Sequence, residues 1–139
     1  MHPIIVTNDS VALEGHVKIL VVDDDPNMRD LLRLHLGNAG HRIRCAEDGV
    51  VAGYAVLHER PDLIISDVSM PHLDGFQFVA ALRADPDFRD IPVIFLSTLV
   101  EGDQRGKELG ALAFIPKPVR ADWLLRFIAS NVGESLVTA

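Results

Sequence analysis

VKILVVDDDP, from Val17 to Pro26, decides how this chain is read. A nearly unbroken apolar run ends in three consecutive aspartates and a proline. Such a run fits a parallel strand covered on both faces better than an alternating, half-exposed one. Asp25 followed by Pro26 supplies an N-cap and a proline for the first helical position, so a helix should begin at once. Beyond it Met28, Leu31, Leu32 and Leu36 recur at helical spacing, with Arg29, Asp30 and Arg33 on the opposite side. His35 is expected on the apolar side, in a packing role, and Gly40 closes the helix.

The same alternation runs outward along the chain. Arg42–Cys45, Leu63–Ser66, Val93–Ser97 and Ala113–Ile115 read as further strands. Val50–His58, Phe76–Ala84, a weak segment near Asp103–Leu109, and Ala121–Val132 read as helices. Gly53 and Gly106 each cost about 1 kcal/mol relative to alanine within such helices. Strand and helix in turn imply right-handed βαβ units and a doubly wound α/β sheet. One domain over residues 17–132 is expected, with a loose arm over 1–16 and a tail over 133–139. Ile4-Ile5-Val6 could instead supply an edge strand or a partner contact.

Composition narrows the class. The 139 residues suit one domain with a sound core, and 48% apolar with 24% charged residues is a globular balance. A formal charge of −7 argues against a nucleic-acid surface. No apolar run approaches the roughly 20 residues that span a bilayer, and the N-terminus lacks a signal-peptide pattern. The lone Cys45, read as a buried strand residue, agrees with a reducing compartment, and cytoplasm is the expected location. The six histidines are dispersed, none at metal-ligand spacing.

In open α/β sheets, ligands bind beyond the carboxyl ends of the strands. Here those ends carry Asp23-Asp24-Asp25, Ser66-Asp67, Ser97-Thr98 and Lys117-Pro118. Carboxylates brought so close repel one another, and a divalent cation resolves the conflict. Hard oxygen ligands point to Mg²⁺. Asp24 and Asp67 are candidate direct ligands, Asp23 binds directly or through water, and the Ser69 backbone carbonyl can complete the set. Helix capping accounts for Asp25 but not for three acids abutting a buried strand.

VVDDDP, DLIISDVSMPHLDG, VIFLST and GALAFIPKP together resemble the receiver domains of two-component response regulators, in order and at nearly the usual spacing. The resemblance covers Val17 to about Val132. It implies a flavodoxin-like (βα)₅ fold with a parallel five-stranded sheet in the order 2-1-3-4-5. It also implies that Asp67 accepts a phosphoryl group from a phosphohistidine on a sensor histidine kinase or phosphotransfer protein. Lys117 and the Ser97 hydroxyl would hold phosphoryl oxygens, with Thr98 beside the entrance. Ser97 and Phe114 match the family's switch pair, and the Lys117–Pro118 peptide should be cis. Signalling would follow from docking of a downstream protein on the face of the fourth helix, fifth strand and last helix.

Three rivals share parts of this pattern. A haloacid-dehalogenase-like phosphatase needs a second acid two residues after its nucleophile, where this chain has Ser69. A flavin binder needs a Ser/Thr/Gly-rich phosphate loop where Asp23–Asp25 stand, and a docking pseudo-receiver would have lost an acid or the lysine. Ser69 and Leu99 flank the expected path of a hydrolytic water, and neither orients water as a carboxamide would, so self-dephosphorylation should be slow. The seven residues after Val132 are too few for an output module. The chain therefore reads as a stand-alone receiver or a piece of a longer regulator, the former favoured.

Overall fold

The computed structural model describes residues 16–98 and 103–133. The chain runs β1 (Lys18–Val22), α1 (Pro26–Asn38), β2 (Arg42–Ala46), α2 (Gly49–His58), β3 (Leu63–Asp67), α3 (Gly75–Arg83), β4 (Val93–Ser97), α4 (Asp103–Glu108), β5 (Ala113–Pro116) and α5 (Ala121–Ile128). The strands form one sheet in the order β2-β1-β3-β4-β5, and every pair is parallel. The order reverses between β1 and β3, which opens a crevice at their carboxyl ends.

Alternation along each strand feeds two cores. Leu20, Val22, Ile64, Val93 and Phe95 face α2, α3 and the α4–β5 region, while Ile19, Val21, Ile65, Ile94 and Leu96 face α1 and α5. β3 and β4 are buried along their whole lengths. That is why their sequences read as continuous apolar runs: each side chain meets a helix layer, and burying one large aliphatic contributes about 1.5–3 kcal/mol. Helix starts are set locally. Asp25 accepts from the Asn27 amide, Asp48 from the Val51 amide, and Asp74 and Gln77 form a reciprocal capping box.

The structure departs from the sequence expectations in several places. On α1 only Leu32 and Leu36 are buried, whereas Leu31 is 41% exposed and His35 faces solvent. The helix needs only a narrow seam against its neighbours, so one of two adjacent leucines is left outside. Cys45 is half-buried because β2 is an edge strand. The last helix is α-helical only to Ile128 and continues as a π-helical turn over Ala129–Gly133, which keeps Val132 in the core.

Gly106 does more than weaken a helix. It is buried, and a Cβ there would lie 3.1 Å from Phe114 Cδ2 and 3.5 Å from Phe95 Cδ2. Its missing side chain lets the six-residue α4 settle on those rings. His16, assigned to the arm, packs its ring edge-on against His41 at 5.5 Å. The stretch Ile4–Val6, the residue Leu99 and the tail beyond residue 133 lie outside the described residues. Among the described residues no helix is long and apolar enough to cross a membrane.

Candidate functional site

Four strand ends deliver the site. β1 runs out into Asp23 and Asp24, β3 ends on Asp67, β4 ends on Ser97, and Lys117 follows β5 directly. Carboxylate oxygens of Asp23, Asp24 and Asp67 lie within 4.8 Å of one another. Asp23 and Asp67 are buried, while Asp24 is exposed at the mouth. Lys117 reaches across the sheet, placing Nζ 2.8 Å from Asp23 Oδ2 and 3.5 Å from Asp67 Oδ2. The peptide between Lys117 and Pro118 is cis, and the Lys117 amide donates to the Ser97 carbonyl at 2.9 Å.

Backbone groups fix the two buried acids. The Asp25 amide donates to Asp23 Oδ1 at 2.9 Å, and the Val68 amide donates to Asp67 Oδ1 at 2.8 Å. From behind, the Gly75 amide donates to the Val68 carbonyl at 2.8 Å. A side chain at Gly75 would collide with the Asp67 carbonyl oxygen, so α3 can seat on the acid's own peptide only through glycine. Gly75 is thus both the entry to α3 and the point where that helix approaches the Asp67 peptide most closely. His72, in the same loop, adopts a left-handed backbone at φ 68°.

The electrostatics define what the site lacks. Burial pushes the Asp67 carboxyl above the usual carboxylate range and the Asp23 charge adds to this, while Lys117 and the Val68 amide pull the other way. Burial works against the Lys117 charge, but the bond to Asp23 and the charges of Asp23 and Asp67 hold its ammonium above the ordinary lysine value. Three carboxylates, two of them buried, share the one Lys117 ammonium, which leaves an excess of negative charge at the pocket. A small, hard divalent cation fits that all-oxygen donor set and that excess. Receivers as a class bind Mg²⁺ at an acidic pocket of this kind.

The remaining expected residues fall around this centre. Ser97 is buried at the end of β4, and Thr98 and Ser69 are exposed just beyond their strands. Phe114 lies on β5, half-buried, with ring centroids 6.2 Å from Phe95 and 6.4 Å from Phe76. Two contributors escaped the sequence reading. Gly106 roofs this aromatic group, and Arg29, placed on the solvent side of α1, instead donates from Nη1 to the Asp23 carbonyl at 2.8 Å. The cue available for Arg29 was its place one turn into a helix that starts beside the acids.

A doubly wound parallel fold with an acid cluster at its switch point is thereby defined, and the chain belongs to the response regulator receiver domain family, which it matches over residues 19–129. It is a signalling domain of the two-component class. It is 39% identical over 111 residues to the response regulator MprA of Mycobacterium sp. (strain KMS), an alignment covering 78% of this chain and 47% of that protein. The chain therefore spans about half the length of the curated relatives it matches. Among solved structures it resembles the chemotaxis protein CheY4 of Vibrio cholerae, with a TM-score of 0.77 and 35% identity over 83% of this chain and 98% of that one. It is equally similar to the signal receiver domain of a signal transduction histidine kinase from Syntrophus aciditrophicus, with a TM-score of 0.77 and 36% identity, covering 87% and 92% of the two chains.

Proposed function

We propose that Asp67 is the phosphoacceptor and that it takes its phosphoryl group from a phosphohistidine on a sensor histidine kinase or phosphotransfer protein. The observation that carries this reading is the placing of Asp67. It is a buried strand-end carboxylate with one oxygen held by the Val68 amide and Lys117 3.5 Å from the other. Oδ2 of Asp67 attacks phosphorus, the phosphorus–nitrogen bond to the donor imidazole breaks, and the imidazole leaves with the electron pair. A carboxylate nucleophile needs no general base.

Phosphoryl transfer is mainly positioning and neutralisation of charge on the equatorial oxygens. Lys117 supplies one positive charge, moving from Asp23 toward the new phosphoryl group. The Ser97 hydroxyl donates to a further oxygen. Asp23, Asp24, Asp67 and the Ser69 carbonyl would hold Mg²⁺, which when bound neutralises acids and phosphoryl oxygens together. Thr98 stands at the entrance and narrows access. Displacement of Ser97 frees space beside Phe114, and the change spreads to the face made by α4, β5 and α5, where a downstream protein docks.

Acetyl phosphate with Mg²⁺ tests this directly by intact mass. The wild type should gain one phosphoryl group and Asp67→Asn none. Equal labelling of the Asn variant, or of the wild type in excess chelator, would sink the proposal.

A further inference from the structure

Asp23 is held in the acidic pocket by four hydrogen bonds. Its amide donates to the Ala46 carbonyl at 3.0 Å, Oδ1 accepts from the Asp25 amide at 2.9 Å, and Oδ2 accepts from Lys117 at 2.8 Å. The fourth tether is a second side chain. Arg29, in the first turns of α1, reaches back to donate from Nη1 to the Asp23 carbonyl at 2.8 Å. This bond closes a short loop, because the Arg29 amide itself donates to the Asp25 carbonyl at 3.1 Å. Arg29 thus grips both ends of the Asp23–Asp25 turn.

The guanidinium is partly buried, and no carboxylate lies within ion-pair distance of it among the described residues. Its charge points at the neutral carbonyl of Asp23 and not at the carboxylates of Asp23, Asp24 or Asp67. Placed to neutralise the acids, it would face their oxygens. Placed where it is, it sets the peptide plane after Asp23, and with that the direction in which the Asp23 carboxylate and the following Asp24 enter the pocket.

We infer that Arg29 is a positioning residue for the cation site, holding Asp23 and Asp24 in the geometry that a divalent cation requires. The inference rests on the cation reading above, and it predicts a sign. A cation acting through space alone repels Mg²⁺, so its removal would tighten binding. A positioning residue has the opposite effect, since losing an outer-shell partner of a metal ligand weakens affinity about 10–100-fold.

Isothermal titration of the whole chain with MgCl₂ decides between them, using wild type, Arg29→Gln and Arg29→Lys, with thermal melts in chelator alongside. Arg29→Gln should weaken Mg²⁺ binding about tenfold, and Arg29→Lys, which keeps one donor and the charge, should recover part of the loss. The melting temperature in chelator should change by only a few degrees, so the affinity loss is not general unfolding. Unchanged or tighter Mg²⁺ binding by folded Arg29→Gln overturns the inference and leaves the cation site standing. A wild type that binds no Mg²⁺ removes the cation site itself, and the inference with it.

Discussion

Gly106→Ala should destabilise this protein although the same substitution at Gly53 should stabilise it. Both glycines lie inside helices, where alanine is favoured by about 1 kcal/mol. A Cβ at Gly53 meets no heavy atom within 4 Å, so α2 collects that gain. At Gly106 the new methyl group stands 3.1 Å from Phe114 Cδ2 and 3.5 Å from Phe95 Cδ2. Carbon pairs are comfortable at about 3.5–4.0 Å, which leaves a shortfall of roughly 0.5 Å against Phe114. Inward retreat of that ring is opposed by fully buried Phe95 and half-buried Phe76, which stand behind it. Overpacking of this kind costs about 1–3 kcal/mol, more than the helix gains. The two variants should therefore differ by about 2 kcal/mol in urea unfolding, at unchanged slope. Adding Phe114→Leu should ease the clash, giving a coupling of at least about 0.5 kcal/mol in a double-mutant cycle. A Gly106→Ala protein as stable as Gly53→Ala, with no coupling to Phe114, would refute the packing argument.

The electrostatics and chemistry make further predictions. Because the folded-state pKa of Asp67 is raised, its favourable contribution exists below the unfolded carboxylate value and is lost as pH rises through the folded one. Asp67→Asn should accordingly melt higher than wild type at pH 7 in chelator, and Mg²⁺ should narrow the gap; a lower melting temperature for the variant would contradict this. His41 behaves in the opposite sense. Its ring is buried, its Nδ1 accepts from the Val17 amide at 3.1 Å, and burial and then His16 lower its pKa to about 4. Stability from neutral His41 is complete above pH 6.5 and fades as pH falls toward 4, so His41→Asn, which can keep an acceptor for Val17, should flatten urea midpoints across that window. If midpoints fall equally in both proteins, other groups dominate. Finally, exposed Ser69 offers no carboxamide to orient water, so on the proposed reading a phosphoryl group on Asp67 should be long-lived and Ser69→Asn should shorten its life; a wild type that clears its label within seconds rules this out.

Much of the architecture could be read from the chain because burial on both faces leaves a simple trace. β1, β3 and β4 are sealed between helix layers, so their apolar runs are nearly continuous. β2 at the edge gave a weaker signal, and Cys45 was placed too deep for that reason. The acids and Lys117 were visible because each abuts a strand end, and topology alone brings strand ends together. What could not be read depends on contacts between distant segments. Leu31 and Leu32 have equal claim to the core until the direction of α1 against its neighbours is fixed. Gly106 reads as a defect until two aromatic rings from other strands lie beneath it. The Arg29 side chain looks like solvent surface until the turn it reaches back to is in place.

The single tryptophan gives the chain a built-in optical probe with a definite address. Trp123 is 41% exposed on α5 and lies nearly parallel to Phe127, with ring centroids 5.1 Å apart and 15° between planes. Its emission is governed by that stack and by the water around it. A protein that settles on α5 should blue-shift the fluorescence by drying the indole. Loading of the acidic pocket should be nearly dark by comparison unless α5 itself responds. A silent magnesium titration read by emission would therefore say nothing against binding, whereas a spectral shift on mixing with a candidate partner would locate its footprint without a label.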